Sequence, residues 1–156
     1  MTNCLALDES AHCEHAFGWY VSNYHKSSDK LLFIHVQQVP YVPLVGLEDM
    51  EGFMNVTQLL VQESSEKTNK LIFKYKQKCE EKGIECEFVI DDGSSPGESI
   101  CRIAKEKNVQ TIIMGQRGLS AMGRLFLGST SDYVLHHTHI PVIVVPPAVH
   151  EDQKND

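Results

Sequence analysis

The sequence predicts an α/β fold in which a parallel sheet carries helices on both faces. Short apolar runs alternate with longer amphipathic stretches along the 156 residues, a rhythm typical of repeated strand–helix–strand units. Glycine, proline and polar turns separate the runs, which indicates buried strands joined by surface helices. A chain of this length forms one ordinary domain. We expect that domain over residues 1–148, followed by a polar tail at 149–156.

The first half of the chain predicts two strands and two helices. Residues 4–7 form the first strand, and Ser10 caps the helix that follows. The second strand covers residues 31–36 and leads into a segment with Pro and Gly that cannot continue a sheet. Apolar residues recur at helical spacing over residues 56–82 and predict a long surface helix, with Gly83 as its C-terminal stop.

The second half predicts three more strands and two more helices. Residues 85–90 alternate polar and apolar, and the turn DDGSSPG ends that strand. In the next helix, Ile100 and Ile103 share one face, and Glu98 is placed four residues before Arg102 to support the helix. The remaining strand, helix and β-branched strand are expected at residues 111–114, 129–136 and 142–145.

Composition excludes several classes of function. The net charge is −7 and no basic stripe is present, so we expect no nucleic-acid partner. No secretion signal opens the chain and no run approaches the roughly 18 apolar residues of a membrane span, so we expect no membrane insertion. Five cysteines without CxxC spacing suggest buried free thiols in the reducing cytoplasm, with redox sensing as the alternative.

The segment between the fourth strand and the last helix carries the candidate site. Residues 115–131 read GQRGLSAMGRLFLGSTS, and the backbone can approach a ligand closely at its glycines, Gly115, Gly118, Gly123 and Gly128. Ligands of open parallel sheets bind beyond the carboxyl ends of the strands. The helix starting at Ser129 offers unpaired amides to a phosphate, Thr130 adds a hydroxyl, and Arg117 and Arg124 add charge. These features predict nucleotide binding.

Known phosphate motifs narrow the prediction. Residues 123–130 differ from the P-loop pattern at one position, because Ser129 occupies the position of the lysine that reaches the β and γ phosphates. Fast hydrolysis is therefore not expected, and no catalytic residue is assigned. The turn after the first strand reads DESAH and contains no glycine, so binding of NAD, FAD or FMN is not expected.

At this point the sequence resembles a family. The pattern Gly115-x2-Gly118-x9-Gly128-Ser129 is similar to the G-x2-G-x9-G-[ST] signature of ATP-binding universal stress proteins. The stretch SDYVLHHTHIPVIVVP resembles that family's closing helix and strand. The resemblance implies a Rossmann-like sheet of five parallel strands in the order 3-2-1-4-5, and it places the chain in the subset that binds ATP.

The resemblance also implies a role for individual residues. Asp8 would bind the ribose with Gly115 beside it, and the main chain at Val36 would meet adenine. Ala6 and Leu7 would line the base pocket, next to Met114 at the end of the fourth strand. The phosphates would be held by Arg117, Gly118, Gly128, Ser129, Thr130 and Ser131, with Mg²⁺ arriving on them.

Simpler interpretations stay open for several of these residues. Ser129 and Asp132 form an S-x-x-D helix start, so the serine is also a candidate helix cap. Asp8 is suited to open a turn, and Arg117 and Arg124 also fit solvated surface charges. We expect an interaction with the C-terminal end of the last helix, and no metal site, at His136, His137 and His139.

Three functions are compatible with this pattern. The first is an ATP-binding stress-response protein that acts as a nucleotide-dependent switch or scaffold, with slow hydrolysis at most. The second is an ATPase or phosphotransferase that uses Ser129 or Thr130. The third is an interaction module that binds AMP, a cyclic nucleotide or another ligand. A bare edge at Val142–Val145 would invite pairing, so we also predict a symmetric homodimer through it, as the resemblance implies.

Overall fold

A computed structural model of the chain describes residues 1–38, 50–116 and 127–148. Within these ranges the elements are β1 (Thr2–Ala6), α1 (Ala11–Asn23), β2 (Lys30–Val36), α2 (Met50–Lys82), β3 (Glu85–Asp91), α3 (Pro96–Glu106), β4 (Thr111–Gly115), α4 (Ser129–His137) and β5 (Val142–Val145). The predicted tail at 149–156 lies outside the described residues.

The strands form one parallel sheet in the order β3-β2-β1-β4-β5. The predicted α/β class and the strand order are therefore confirmed. β1 lies at the centre, where Asn3 is paired with Leu31 of β2 on one side and with Thr111 of β4 on the other. Because every strand runs the same way, all five carboxyl ends meet at one edge of the sheet.

Helices cover both faces of the sheet. Successive side chains of a buried strand point to opposite faces, so each strand feeds two separate cores. The core under α1 and α2 includes Leu5, Phe17, Phe33 and Tyr75. The core under α3 and α4 includes Cys4, Ile34, Ile100 and Val134. This arrangement is why the strands read as nearly continuous apolar runs.

Two predicted helix boundaries are confirmed. The Ser10 hydroxyl oxygen accepts a hydrogen bond from the Cys13 N–H at 3.1 Å and caps α1. α2 ends at Lys82, and Gly83 follows with φ of +65°, a backbone region that favours glycine. The α2 start, by contrast, is at Met50, ahead of the predicted residue 56.

α4 begins at the predicted Ser129, but one open alternative and one local prediction are wrong. Gly128 is the N-terminal cap of α4, and Ser129 is already its first helical residue, with no side-chain capping bond. Arg102 donates to Asp91 at 2.8 Å and to Glu106 at 3.3 Å, so its ion-pair partners are not the predicted Glu98. A carboxylate from the end of β3 competes successfully for Arg102 because the fold places it beside α3.

α2 is much longer than the strands on which it packs. It contains 33 residues, which corresponds to about 50 Å at 1.5 Å per residue. Its buried residues all lie in its C-terminal half, at Thr68, Leu71, Tyr75 and Cys79. In the N-terminal half, the exposed fractions of Met54 and Leu59 are 64% and 66%. The helix is therefore anchored on the sheet through its second half.

All five cysteines are free thiols, of which Cys4, Cys13 and Cys79 are buried as predicted, whereas Cys86 and Cys101 are half-buried. Burial raises the pKa of Cys4 to about 12, that of Cys13 to about 11 and that of Cys79 to about 12. Thiols react through their thiolate form, so these three side chains are chemically inert in the folded protein. Among the described helices, none has the length and apolar content needed to cross a membrane.

Candidate functional site

A cavity of about 440 Å³ opens at the carboxyl edge of the sheet, within the size range of small-molecule sites. Every predicted site residue that the structure describes lines this cavity. These residues are Ala6, Leu7, Asp8, Val36, Met114, Gly115, Gly128, Ser129, Thr130 and Ser131. The other two predicted residues, Arg117 and Gly118, lie outside the described residues, as does Arg124. The structure thus brings together residues from four separate segments of the chain.

The end of β2 presents backbone groups to this cavity. The Leu7 N–H donates to the Ile34 carbonyl at 2.8 Å, and the Gln37 N–H donates to the Asp91 carbonyl at 2.7 Å. Backbone groups of a strand alternate between its two neighbours, so Val36 directs its N–H and C=O to the β1 side. β1 has already ended there, at Ala6. The described part of β1 therefore offers no ladder partner to the Val36 peptide groups, and Val36 lines the cavity.

Asp8 opens a turn between β1 and α1. Its Oδ1 accepts hydrogen bonds from the Ser10 N–H, at 2.8 Å, and from the Ser10 hydroxyl. The turn-forming interpretation of Asp8 is therefore confirmed. A carboxylate has two acceptor oxygens, and all the hydrogen bonds that Asp8 accepts from described side chains and turns use Oδ1. Oδ2 is left for a second partner.

Gly115 allows a close contact between β4 and α1. A Cβ atom added to Gly115 would lie 2.6 Å from the carbonyl carbon of His12, closer than real Cβ atoms approach such a group. The fold itself therefore requires glycine at this position. The sequence pattern suggested a close approach of backbone to ligand, and the structure adds a packing reason.

Gly128 differs from Gly115 in this respect. Its φ of −61° and ψ of 155° are ordinary for any residue, and an added Cβ would meet no described atom within 4 Å. Nothing in the described fold requires glycine there. The open space lies at the N-terminus of α4, where the first N–H groups have no intrahelical acceptor.

Part of the cavity wall was not predicted from the sequence. Ser64, Lys67 and Thr68 of α2 line it, together with His35 and Gln37. The Gln37 Nε2 donates to the Ser64 hydroxyl at 2.8 Å, which ties the end of β2 to α2. The sequence does contain a signal for this wall, because Ser64 and Thr68 continue the helix face of Leu71 and Tyr75. Polar residues on an otherwise buried face indicate a lined cavity.

Charges of both signs lie at the mouth of the cavity. Asp8 and Glu9 bring negative charge from the α1 side. Lys67 makes an ion pair with Glu63 at 2.7 Å, and this carboxylate raises the Lys67 pKa. The histidines of α4 are engaged elsewhere, since the Nδ1 atoms of His136 and His137 bond at 2.8 Å to the carbonyls of Asp132 and Tyr133 in their own helix.

Fold and site together define a Rossmann-like α/β domain with a ligand-sized cavity at the carboxyl edge of its sheet. The model of the Universal stress protein family matches residues 2–146. The chain belongs to the universal stress protein family.

Individual relatives and solved structures agree with this assignment. Universal stress protein Sll1388 of Synechocystis is 27% identical over 146 residues, which cover 90% of this chain and 94% of the relative. A universal stress protein family protein from Arabidopsis thaliana with AMP bound has a TM-score of 0.68 at 24% identity, covering 100% of both chains. An Archaeoglobus fulgidus universal stress protein in complex with dAMP has a TM-score of 0.61 at 18% identity, covering 92% of this chain and 96% of its own. These structures share the fold of this chain.

Proposed function

We propose that the protein binds ATP in the cavity at the carboxyl edge and acts as a nucleotide-dependent switch or scaffold in a stress response. The observation that carries the proposal is Gly128. It stands at the N-cap of α4, in a conformation open to any residue, and an added Cβ would meet no described atom. Glycine is among the residues favoured at an N-cap, and its bare backbone also allows a ligand to approach closely.

The start of α4 supports the phosphate-binding part of the proposal. Free N–H groups and the positive end of the helix dipole stabilise an anion there. Ser129, Thr130 and Ser131 line the same end of the cavity and add hydroxyl donors. Arg117 and Gly118 complete the phosphate site in this proposal, and Mg²⁺ accompanies the phosphates.

The end of β2 supports the base-binding part. Val36 offers one backbone donor and one backbone acceptor past the last residue of β1. Adenine presents a ring nitrogen that accepts and an amino group that donates, so its edge matches such a pair. In this proposal Asp8 Oδ2 accepts from a ribose hydroxyl, and the nucleoside is surrounded by Ala6, Leu7, Met114 and Gly115.

Turnover is slow at most in this proposal. Ser129 stands where a P-loop has its lysine, so the residue that would reach the β and γ phosphates is missing. The protein therefore reports on a nucleotide by binding it. The free thiols suit a cytoplasmic protein.

A homodimer through β5 belongs to the same proposal. β5 pairs with β4 on one side and forms the edge of the sheet on the other. Its sequence is VIVV, and an apolar edge strand favours pairing with a second copy. A symmetric dimer covers both edges with the same contact.

AMP is the second candidate ligand. The Arabidopsis neighbour contains AMP and the Archaeoglobus neighbour contains dAMP, so a monophosphate is a reasonable occupant of the same cavity. Calorimetric titration with ATP and AMP, together with mass spectrometry of small molecules released from the purified protein, separates the two. The proposal fails if no nucleotide co-purifies and millimolar ATP leaves the melting temperature unchanged.

Gly128→Val provides the sharper test. The substitution meets no described atom of the fold, so the melting temperature of the free protein should fall only modestly, by the cost of replacing glycine at a helix N-cap. The branched side chain would occupy the phosphate approach and should weaken ATP binding by at least about tenfold. Gly18→Val is the matched control, because Gly18 is an exposed glycine of α1 with the same open surroundings. Equal ATP affinity of both variants and wild type would refute the phosphate site.

A further inference from the structure

The His35 side chain joins the ends of two strands to α2. Its Nδ1 lies 2.8 Å from the Leu7 carbonyl oxygen, and its Nε2 lies 3.4 Å from the Thr68 hydroxyl. A carbonyl only accepts hydrogen bonds, so Nδ1 carries the proton. The imidazole is thus held in one orientation, between the last residues of the β1–β2 ladder and a buried residue of α2.

The bond to Leu7 replaces a bond of the sheet. In a parallel ladder, the donor that follows the Leu7 N–H to Ile34 carbonyl bond is the Val36 N–H, and its acceptor is the Leu7 carbonyl. That carbonyl is turned to His35 instead. Among the described backbone groups, the Val36 N–H has no acceptor. The imidazole therefore ends the ladder one bond early.

The same bond fixes the neighbouring peptide. The Leu7 carbonyl and the Asp8 N–H belong to one planar unit, so the direction of the carbonyl sets the start of the Asp8 turn. A single side chain thereby controls two groups at the mouth of the cavity, the Val36 N–H and the Asp8 carboxylate.

We infer that His35 is a positioning residue that keeps the Val36 N–H available to the base of a bound nucleotide by engaging the Leu7 carbonyl. This inference rests on the proposed function for its ligand. Without the imidazole, the Leu7 carbonyl is free to accept from Val36, the ladder gains a bond, and the base loses its donor.

Amide hydrogen exchange on the ligand-free protein tests the structural step. In wild type, the Val36 amide should exchange much faster than the Ile34 amide, which lies inside the ladder. In His35→Ala, the Val36 amide should be protected by at least about tenfold, because it gains a hydrogen bond. His35→Asn keeps an N–H donor near the Nδ1 position and should leave the Val36 amide fast. An unchanged Val36 amide in His35→Ala would overturn the inference.

Calorimetric titration with ATP tests the consequence. His35→Ala should bind ATP about tenfold more weakly, and His35→Asn should stay within about threefold of wild type. His25→Ala is the matched control, since it removes a histidine that bonds to the Tyr20 hydroxyl at 3.1 Å and does not line the cavity, and it should leave both readouts unchanged. If His35→Ala does not fold, His35→Gln, whose amide lies one carbon farther from the backbone, takes its place.

The outcomes separate the two proposals. If wild type binds no adenine nucleotide, the proposed function is refuted and the nucleotide role of His35 falls with it, while the exchange data still decide the ladder step. If wild type binds ATP and His35→Ala or His35→Gln binds it equally well, the proposed function survives and the inference is refuted. An equal loss in His25→Ala would also refute it, because the bond to Leu7 would then not be the cause.

Discussion

The two edges of the sheet differ in how their polar groups are used. At the amino edge, the buried Asp29 carboxylate accepts from the Met1 amino group at 3.2 Å, from the Lys26 N–H at 3.2 Å and from the Asn3 amide at 3.5 Å. At the carboxyl edge, Val36 and the first residues of α4 line a cavity, and their free backbone N–H groups have no acceptor among the described backbone groups. The polar groups of the amino edge are hydrogen-bonded to one another, whereas the carboxyl edge leaves backbone groups available to a partner.

The amino edge is a connected network. The Asn3 amide also donates to the Tyr20 hydroxyl at 3.3 Å, and the Tyr24 hydroxyl bonds to Thr111 at 3.0 Å. Burial opposes ionisation of Asp29, but hydrogen bonds from the amino group and from Lys26 outweigh it and hold its pKa below the usual value. Substitutions at the amino edge should therefore change the stability of the fold, whereas those at the carboxyl edge should change the affinity for the ligand.

The largest expected effect comes from Asp29→Ala. The substitution removes the buried carboxylate that accepts from the Met1 amino group, the Lys26 N–H and the buried Asn3 amide, and it should lower the free energy of unfolding by about 3 kcal/mol. Urea denaturation measures the loss. Asp29→Asn, which keeps one acceptor oxygen, should lose less. The contrast between the edges would be wrong if Asp29→Ala kept full stability but bound ATP more weakly.

A smaller effect is expected from Gly115→Ala, because Gly115 both lines the cavity and packs against α1. The new methyl group would press on the His12 carbonyl, and overpacking of this kind should cost about 2 kcal/mol. Thermal and urea unfolding measure it. Gly128→Ala is the control at the same edge and should cost less, about 1 kcal/mol at most, because the new methyl group meets no described atom and only the N-cap preference for glycine is lost. Equal stability of the two variants would show that β4 and α1 can move apart at no cost.

The smallest effect is expected at Glu14, which belongs to neither edge. Hydrogen bonds from Lys74 and Lys78 of α2, at 2.7 and 2.6 Å, lower the Glu14 pKa to about 2. Because the folded pKa is depressed, the stabilisation is present above the unfolded value of about 4.3 and is lost as pH falls toward 2.

The exposed fraction of the Glu14 side chain is 44%, so solvent screening limits the contribution. Glu14→Gln should cost less than about 1 kcal/mol at pH 7, and less still in high salt. Denaturation of both proteins between pH 2 and pH 7 gives the comparison. A difference that grew toward low pH would contradict the sign of the shift.

Much of the fold was predictable because local patterns decide it. The last strand was placed at its observed bounds, Val142–Val145, since β-branched residues between turns have few alternatives. Ser10 and Gly83 were read correctly because a cap and a stop depend on neighbouring residues. The predicted site residues surround one cavity because strand ends of a parallel sheet converge, while their contacts with a nucleotide stay predictions.

The failures depend on contacts distant in the sequence. The pairing of Arg102 with Asp91 and the α2 wall at Ser64 and Thr68 arise only when separate elements are packed together. Ser129 was a candidate cap because S-x-x-D is a common helix start, but α4 begins with Gly128 in the capping position. The bond from His35 to Leu7 likewise has no signature in the sequence, since it joins residues 28 positions apart.

The buried thiols make it possible to measure how fast the folded protein opens. Cys4 lies in the core under α3 and α4, whereas Cys13 and Cys79 lie in the core under α1 and α2. A thiol reagent at neutral pH can modify each one only after its layer has opened, because the folded thiolate is suppressed. Pulse labelling followed by peptide mass analysis would therefore time the two layers separately in one sample, with no engineered probe.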